Sequence, residues 1–177
     1  MRSSLKLPGT TQTDIRFNDQ TDQTTALGFC GSFENRADSE PSTKNTVNKV
    51  TFDNPIVNDK GITLVGDSKI TFTTPGSYFM TSQFNFRNAT TPTAIGFYSN
   101  VFYNLNSTQV LASSTMNAYP DNQTYGVLQD IVTVDSSGSF IEFYWQPSEG
   151  ATILDYTPPS TDVPQKPSAK VSVYKIA

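Results

Sequence analysis

The chain has 177 residues, with 12 Lys+Arg against 16 Asp+Glu, no histidine and one cysteine, Cys30. That length suits one domain with a real core; the missing imidazole removes Ser-His dyads and the usual zinc sites, and a single cysteine cannot staple the fold internally. A formal net charge of −4 lacks the basic footprint of a nucleic-acid binder, and 19 Ser, 24 Thr and 13 Asn make up nearly a third of the chain.

The N-terminus MRSSLKLPGTTQTD has no apolar h-region, so it does not read as a secretory signal. No run approaches the roughly 20 apolar residues of a membrane helix, so a soluble chain with no membrane insertion is expected. Residues 1–48 are rich in Thr, Gln, Asn, Asp and Ser, with scattered apolar residues at Ile15, Phe17, Leu27, Phe29 and Phe33. Asn35 to Asn48 is nearly devoid of hydrophobic side chains and reads as a linker or long loop. The segment is either a frayed terminus or an arm that orders on a partner surface, since Ala26-Leu27-Gly28-Phe29-Cys30 is apolar for a solvated tail.

From Val50 onward the pattern is β throughout. Ile70 and Phe72 make a short strand ending at the turn Thr74-Pro75-Gly76. Ser77 to Phe86 places Tyr78, Met80, Ser82, Phe84 and Phe86 on one face and Phe79, Thr81, Gln83 and Asn85 on the other. Ile95 to Tyr103 carries large side chains on both faces. Strands follow at Val127 to Val134, Phe140 to Trp145, Thr152 to Leu154 and Lys170 to Ile176, separated by turn clusters and a prolyl loop from Pro158 to Pro167. Tyr78, Met80, Phe84, Phe86, Ile131, Phe143 and Trp145 are the expected core. About eight short strands with no helical period and no internal repeat predict an all-β antiparallel sandwich or jelly roll.

The order of Ile70-Thr-Phe72, Pro75-Gly76-Ser77-Tyr78-Phe79, the strands Val127 to Val134 and Phe140 to Trp145 joined by the Asp135 to Ser139 turn, and the closing strand Ser168 to Ala177 resembles the C1q/TNF-like jelly-roll superfamily, as found in phage and other viral structural proteins. The resemblance covers about Val50 to Ala177 and departs from the family at Ser137-Gly138-Ser139, where a Gly-Asp pair is usual. It implies a single jelly roll over residues 49–177, a homotrimer, and an N-terminal arm over 1–48. With 12 Phe, 8 Tyr and one Trp there is more aromatic surface than one thin sandwich hides, and under this reading Phe79, Tyr98, Phe102 and Tyr103 are candidates for the trimer interface.

No catalytic, cofactor or metal residues are expected. Asp130 with Asp135, and Glu142 with Glu149 or Asp155, are the only carboxylate pairings worth weighing for glycosidase chemistry, and turn aspartates ordinarily bond local backbone. Asn18-Asp19 with Asp22, and Asp121-Asn122, are weak calcium signals without an Asp-x-Asp-x-Asp-Gly loop. Cys30 has no base to activate it. Lys69, Lys170 and Lys175 read as solvated edge charges. The segment Met116 to Tyr125 offers Tyr119, Asp121, Asn122 and Tyr125, a mix that stacks on and hydrogen-bonds a sugar or protein, against the ordinary reading of a long loop held by Pro120.

The resemblance, together with the missing catalytic motifs, implies a non-enzymatic virion structural protein on a particle surface. Its trimer would be displayed on a capsid or fibre and attached to the other capsid or fibre proteins through the arm residues Leu27, Phe29 and Phe33, with its distal loops facing a host surface glycan or protein. The alternatives are a shell-forming jelly-roll capsid subunit and a carbohydrate-binding β-sandwich. The first is disfavoured because Arg2, Lys6 and Arg16 are offset by Asp14, Asp19 and Asp22; the second needs an aromatic platform or paired acids that no motif locates.

Overall fold

The computed structural model describes residues 15–16, 22–23, 29–41, 43–57, 61–88, 97–118, 124–149, 151–162 and 164–176. In chain order the strands are β1 (Ile15–Arg16), β2 (Asp22–Gln23), β3 (Cys30–Asn35), β4 (Asn48–Lys49), β5 (Asn54–Val57), β6 (Ile62–Val65), β7 (Lys69–Phe72), β8 (Gly76–Asn88), β9 (Phe97–Leu105), β10 (Thr108–Ala118), β11 (Thr124–Val134), β12 (Phe140–Pro147), β13 (Thr152–Leu154) and β14 (Ala169–Lys175), with no helix among the described residues. β1 and β2 pair only with each other. The rest form two six-stranded sheets, all of whose pairings are antiparallel.

The first sheet runs β10-β9-β12-β7-β6 with β4 added on β12; the second runs β11-β8-β14-β3-β5 with β13 added on β8. The chain changes sheet at β3–β4, β4–β5, β5–β6, β7–β8, β8–β9, β10–β11, β11–β12 and β12–β13, as in a jelly roll, while the prolyl connection from β13 to β14 stays within the second sheet. β8 is the longest strand because nothing from Ser77 to Asn88 breaks it: aromatic and β-branched residues alternate with polar ones and no proline intervenes. Its even-numbered residues from Tyr78 to Phe86 turn inward and are buried, as their alternation predicts.

The core is an aromatic seam. Phe143 on β12 meets Phe84 across the sandwich at 5.7 Å, Tyr103 at 5.9 Å and Phe52 at 6.4 Å, and Phe52 in turn meets Phe33 at 6.4 Å. Phe86 lies 5.6 Å from Trp145, and Phe72 lies 4.6 Å from Tyr78. Such tilted pairs add to area burial.

The expected arm over residues 1–48 is corrected here. Cys30–Asn35 is an interior strand, paired with β14 on one side and β5 on the other, and Phe33 is 0% exposed. The jelly roll therefore includes Cys30–Asn35, and Phe29 packs partly against its core. Phe33 fills the sandwich and is unavailable for attachment. Ile131 is a second correction: it is 58% exposed, because pairing with Phe79 puts it on the outer face of β11. The hairpin β9–β10 turns at Asn106 (φ 49°) and Ser107 (φ 67°), a primed two-residue turn matched to strand twist. Asn106 holds it in place: its Oδ1 accepts from Phe140 N at 3.0 Å.

Candidate interaction faces

Each sheet turns one face to the core and one outward, and the two outward faces differ in chemistry. On the second sheet, cross-strand register aligns Ile131, Phe79, Tyr174 and Cys30 in one row. The next row is Gln129, Thr81, Ser172 and Ser32, and the one after it Val127, Gln83, Lys170 and Glu34. Val127, Ile131, Tyr174 and Ile176 are exposed and Phe79 is half-buried. The polar row is self-satisfied: Ser32 Oγ and Ser172 Oγ share a hydrogen bond at 3.4 Å and Gln129 Nε2 donates to Thr81 Oγ1 at 3.4 Å. The charges are paired as well, since buried Glu34 accepts from Lys170 Nζ at 3.0 Å and from Arg36 at 3.4 Å. This face presents aliphatic and aromatic surface with its polar groups already engaged.

On the first sheet the outward residues of β9 are Tyr98, Asn100, Phe102 and Asn104, and those of β12 are Phe140, Glu142, Tyr144 and Gln146. Register sets Asn100 opposite Gln146, Phe102 opposite Tyr144 and Asn104 opposite Glu142. The Phe102 and Tyr144 rings are near-parallel (15°) with centroids 5.6 Å apart, and Tyr98 is 45% exposed. Glu142 is nearly buried; its Oε1 accepts from Lys49 Nζ at 2.9 Å and its Oε2 from the Tyr144 hydroxyl at 3.2 Å. Burial pushes the Glu142 carboxyl up, but the Lys49 hydrogen bond and charge, with help from Tyr144 and Lys69, outweigh it and hold the carboxyl below its usual range. The hydrogen bond to Glu142 raises the Lys49 ammonium in turn. Lys69 stands 4.4 Å from the Phe140 ring centroid, a cation–π contact.

Three of the carboxylates weighed for catalysis, Asp130, Glu142 and Asp155, are committed to structural partners. Asp130 points inward and accepts the Tyr103 hydroxyl from the opposite sheet at 2.6 Å, while Asp155 accepts from Arg87 Nε at 2.6 Å. Desolvation first, then the hydrogen bond to Asp130, drives the Tyr103 phenol well above its ordinary value. Glu34, Glu142 and Asp155 are each buried and each met by a half-exposed cation whose stem packs along the surface. Among the described residues no group of three His, Cys, Asp or Glu could hold a metal.

The four residues expected at one interface separate. Phe79 lies on the outer face of the second sheet, Tyr98 and Phe102 lie on the opposite outer face, and Tyr103 is 1% exposed inside the core. Tyr103 is thus corrected from interface to core, and no single surface holds all four. Of the expected recognition loop, Met116 to Ala118 belong to β10 and Tyr125 to β11, with Lys166 Nζ 5.8 Å from the Tyr125 ring; Tyr119, Asp121 and Asn122 lie outside the described residues, as does Leu27 of the arm. The lysines read as edge charges sit on interior strands instead: Lys170 pairs with Glu34, and Lys175 Nζ lies 5.2 Å from the Phe29 ring. Tyr144 and Tyr174 were missed, although the alternation that places Phe143 and Trp145 inward already turns Tyr144 out.

No sequence-family model matches the chain, and no curated protein matches it. Solved structures do match in fold. The crystal structure of murine APRIL superposes with a TM-score of 0.50 at 14% identity, covering 83% of this chain and 98% of that one. The fold is a C1q/TNF-like jelly roll. The globular domain of zebrafish complement 1qA aligns with a TM-score of 0.47 at 12% identity, covering 85% of this chain and 98% of that one.

Proposed function

We propose that the chain is a non-enzymatic structural module that closes into a homotrimer through the outward face of the β11-β8-β14-β3-β5 sheet and is displayed on the surface of a virion, on a capsid or fibre. The observation that carries the trimer is the row of outward apolar side chains, Ile131, Phe79 and Tyr174, flanked by Val127 and Ile176. An exposed apolar row of this kind marks an interaction surface, and the charges two rows away on the same face, Glu34 and Lys170, are already paired, so covering it strands no ion. The strip against itself would close a twofold pair, whereas the strip against a different patch of the next copy closes a ring, and the family resemblance favours the threefold ring. The virion setting rests on that resemblance and on a Ser/Thr/Asn-rich chain with few charges.

Light scattering on the purified chain tests the assembly. The mass should be three times that of one chain, and Ile131→Glu with Tyr174→Glu should reduce it to one while the far-UV circular dichroism stays that of a β-sandwich. A wild-type monomer at micromolar concentration overturns the trimer. Capsid or tail genes should adjoin the gene for this chain; a neighbourhood without any removes the virion setting and leaves the assembly untouched.

A further inference from the structure

The two sheets meet in successive layers, and register fixes their order. Phe143 packs on Phe84 and, two residues further along both strands, Trp145 packs on Phe86. Within its own sheet Trp145 stands opposite Val101 of β9, and Phe86 stands opposite Leu154 of β13. The next layer is therefore Pro147 and Ser99 from the first sheet, with Asn88 and Thr152 from the second. Ring packing stops there, and a serine and a threonine face each other across the sandwich.

Trp145 Nε1, Ser99 Oγ and Thr152 Oγ1 have no hydrogen-bond partner among the described residues. Trp145 and Thr152 are 0% exposed and Ser99 is 1% exposed, so bulk solvent does not reach them. A buried indole N–H ordinarily finds an acceptor, and a buried hydroxyl without a partner carries its full desolvation cost. Ser99 is diagonal to Trp145 on the neighbouring strand, and Thr152 is diagonal to Phe86, the ring that covers Trp145. A long side chain spans such diagonals. Room follows from side-chain size: sheets packed about 10 Å apart over the Trp145–Phe86 rings leave a gap that a serine and a threonine do not bridge by themselves.

The donors and acceptors select the occupant. The indole N–H only donates, whereas each hydroxyl donates or accepts. A metal ion gains nothing from an N–H, and an anion would be buried with no cationic side chain among these residues. A water molecule accepts from Trp145 Nε1 and donates to Ser99 Oγ and Thr152 Oγ1, which makes about three bonds, the number usual for an internal water.

We propose that this layer holds one internal water, bonded to Trp145, Ser99 and Thr152, which ties β9 and β12 of the first sheet to β13 of the second. It complements the Tyr103–Asp130 bond, which joins the sheets directly. The site lies inside a single chain and does not depend on the trimer.

Water-oxygen magnetic relaxation dispersion on the full chain tests it, because the method counts long-lived internal waters and does not see protein hydroxyls. The wild type should hold at least one per chain, and Ser99→Ala with Thr152→Val should hold one fewer, since the indole N–H alone does not retain a water. Both changes nearly conserve volume, so the far-UV circular dichroism should stay that of a β-sandwich. Trp145 is the only tryptophan, so its indole N–H gives a single proton–nitrogen resonance, which should move upfield in the variant as its bond is lost. If the pair does not fold, Thr152→Val alone should still move that resonance. A wild type without a long-lived water, an unchanged count in the variant, or a loss that leaves the indole resonance in place overturns the proposal. Failure of the trimer is read separately, from the mass of the wild-type chain.

Discussion

Glu142 shows how a carboxylate in a strand can be nearly buried and still charged. Lys49 reaches it from β4, Tyr144 donates from two residues on, and the carboxyl titrates below its usual range. A lowered folded-state value means that the pair's stability is full above the ordinary value of 4.5 and is lost as pH falls from there through the lowered one. Lys49→Met should therefore lower stability at neutral pH and flatten the loss below pH 4.5, read as urea midpoints at stepped pH. Tyr103 presents the opposite sign. Its raised phenol holds the proton in the fold, so its contribution is complete below the ordinary value of 10.0 and is lost as pH rises beyond it. Tyr103→Phe removes the inter-sheet bond to Asp130 and should cost about 1.5–3 kcal/mol at pH 7 by chemical denaturation, while abolishing that alkaline loss.

The strands that escaped the sequence reading are short or placed among polar residues. Cys30–Asn35 contains a glycine, a serine, a glutamate and an asparagine, so no period-two apolar signal exceeds the background. Only pairing on both edges makes it a strand. A truncation removing residues 1–28 should leave a cooperative thermal transition, whereas one removing residues 1–48 should abolish it, since β14 and β5 lose their shared partner. Gly61 is a further element-scale constraint: its φ is +77°, and an added Cβ would fall 2.1 Å from Phe29 Cδ1. Gly61→Ala combines a left-handed backbone with that collision and should lower stability by about 1–3 kcal/mol, measured by denaturant midpoint.

At the scale of the whole molecule, the two sheets make one core and two unlike exteriors. Neighbouring residues on β11 sample both: Ile131 is 58% exposed and Val132 is 3% exposed. Ile131→Glu should leave a folded chain with altered self-association, whereas Val132→Glu should give no folded protein, because a lone carboxylate would enter the aromatic seam. Circular dichroism and light scattering on the pair together separate folding from assembly.

The amino-acid sequence by itself determined the all-β class, the absence of imidazole chemistry, the inward face of β8 and the strands from Lys69 onward other than β10 (Thr108–Ala118), because alternation of large apolar and polar side chains has one solution at a sheet surface. Strand β11 shows where that logic stops. Gly126, Leu128, Asp130, Val132 and Val134 face inward, while Tyr125, Val127 and Ile131 face outward, so hydrophobicity alone does not choose between the two faces. The choice was made by register with β8, and with it the partners of Asp130, the burial of Tyr103 and the row Ile131–Phe79–Tyr174; the pairing of β9 with β12 likewise set Phe102 against Tyr144 on the opposite face. Those are contacts between residues far apart in the chain, and only the closed sandwich brings them together.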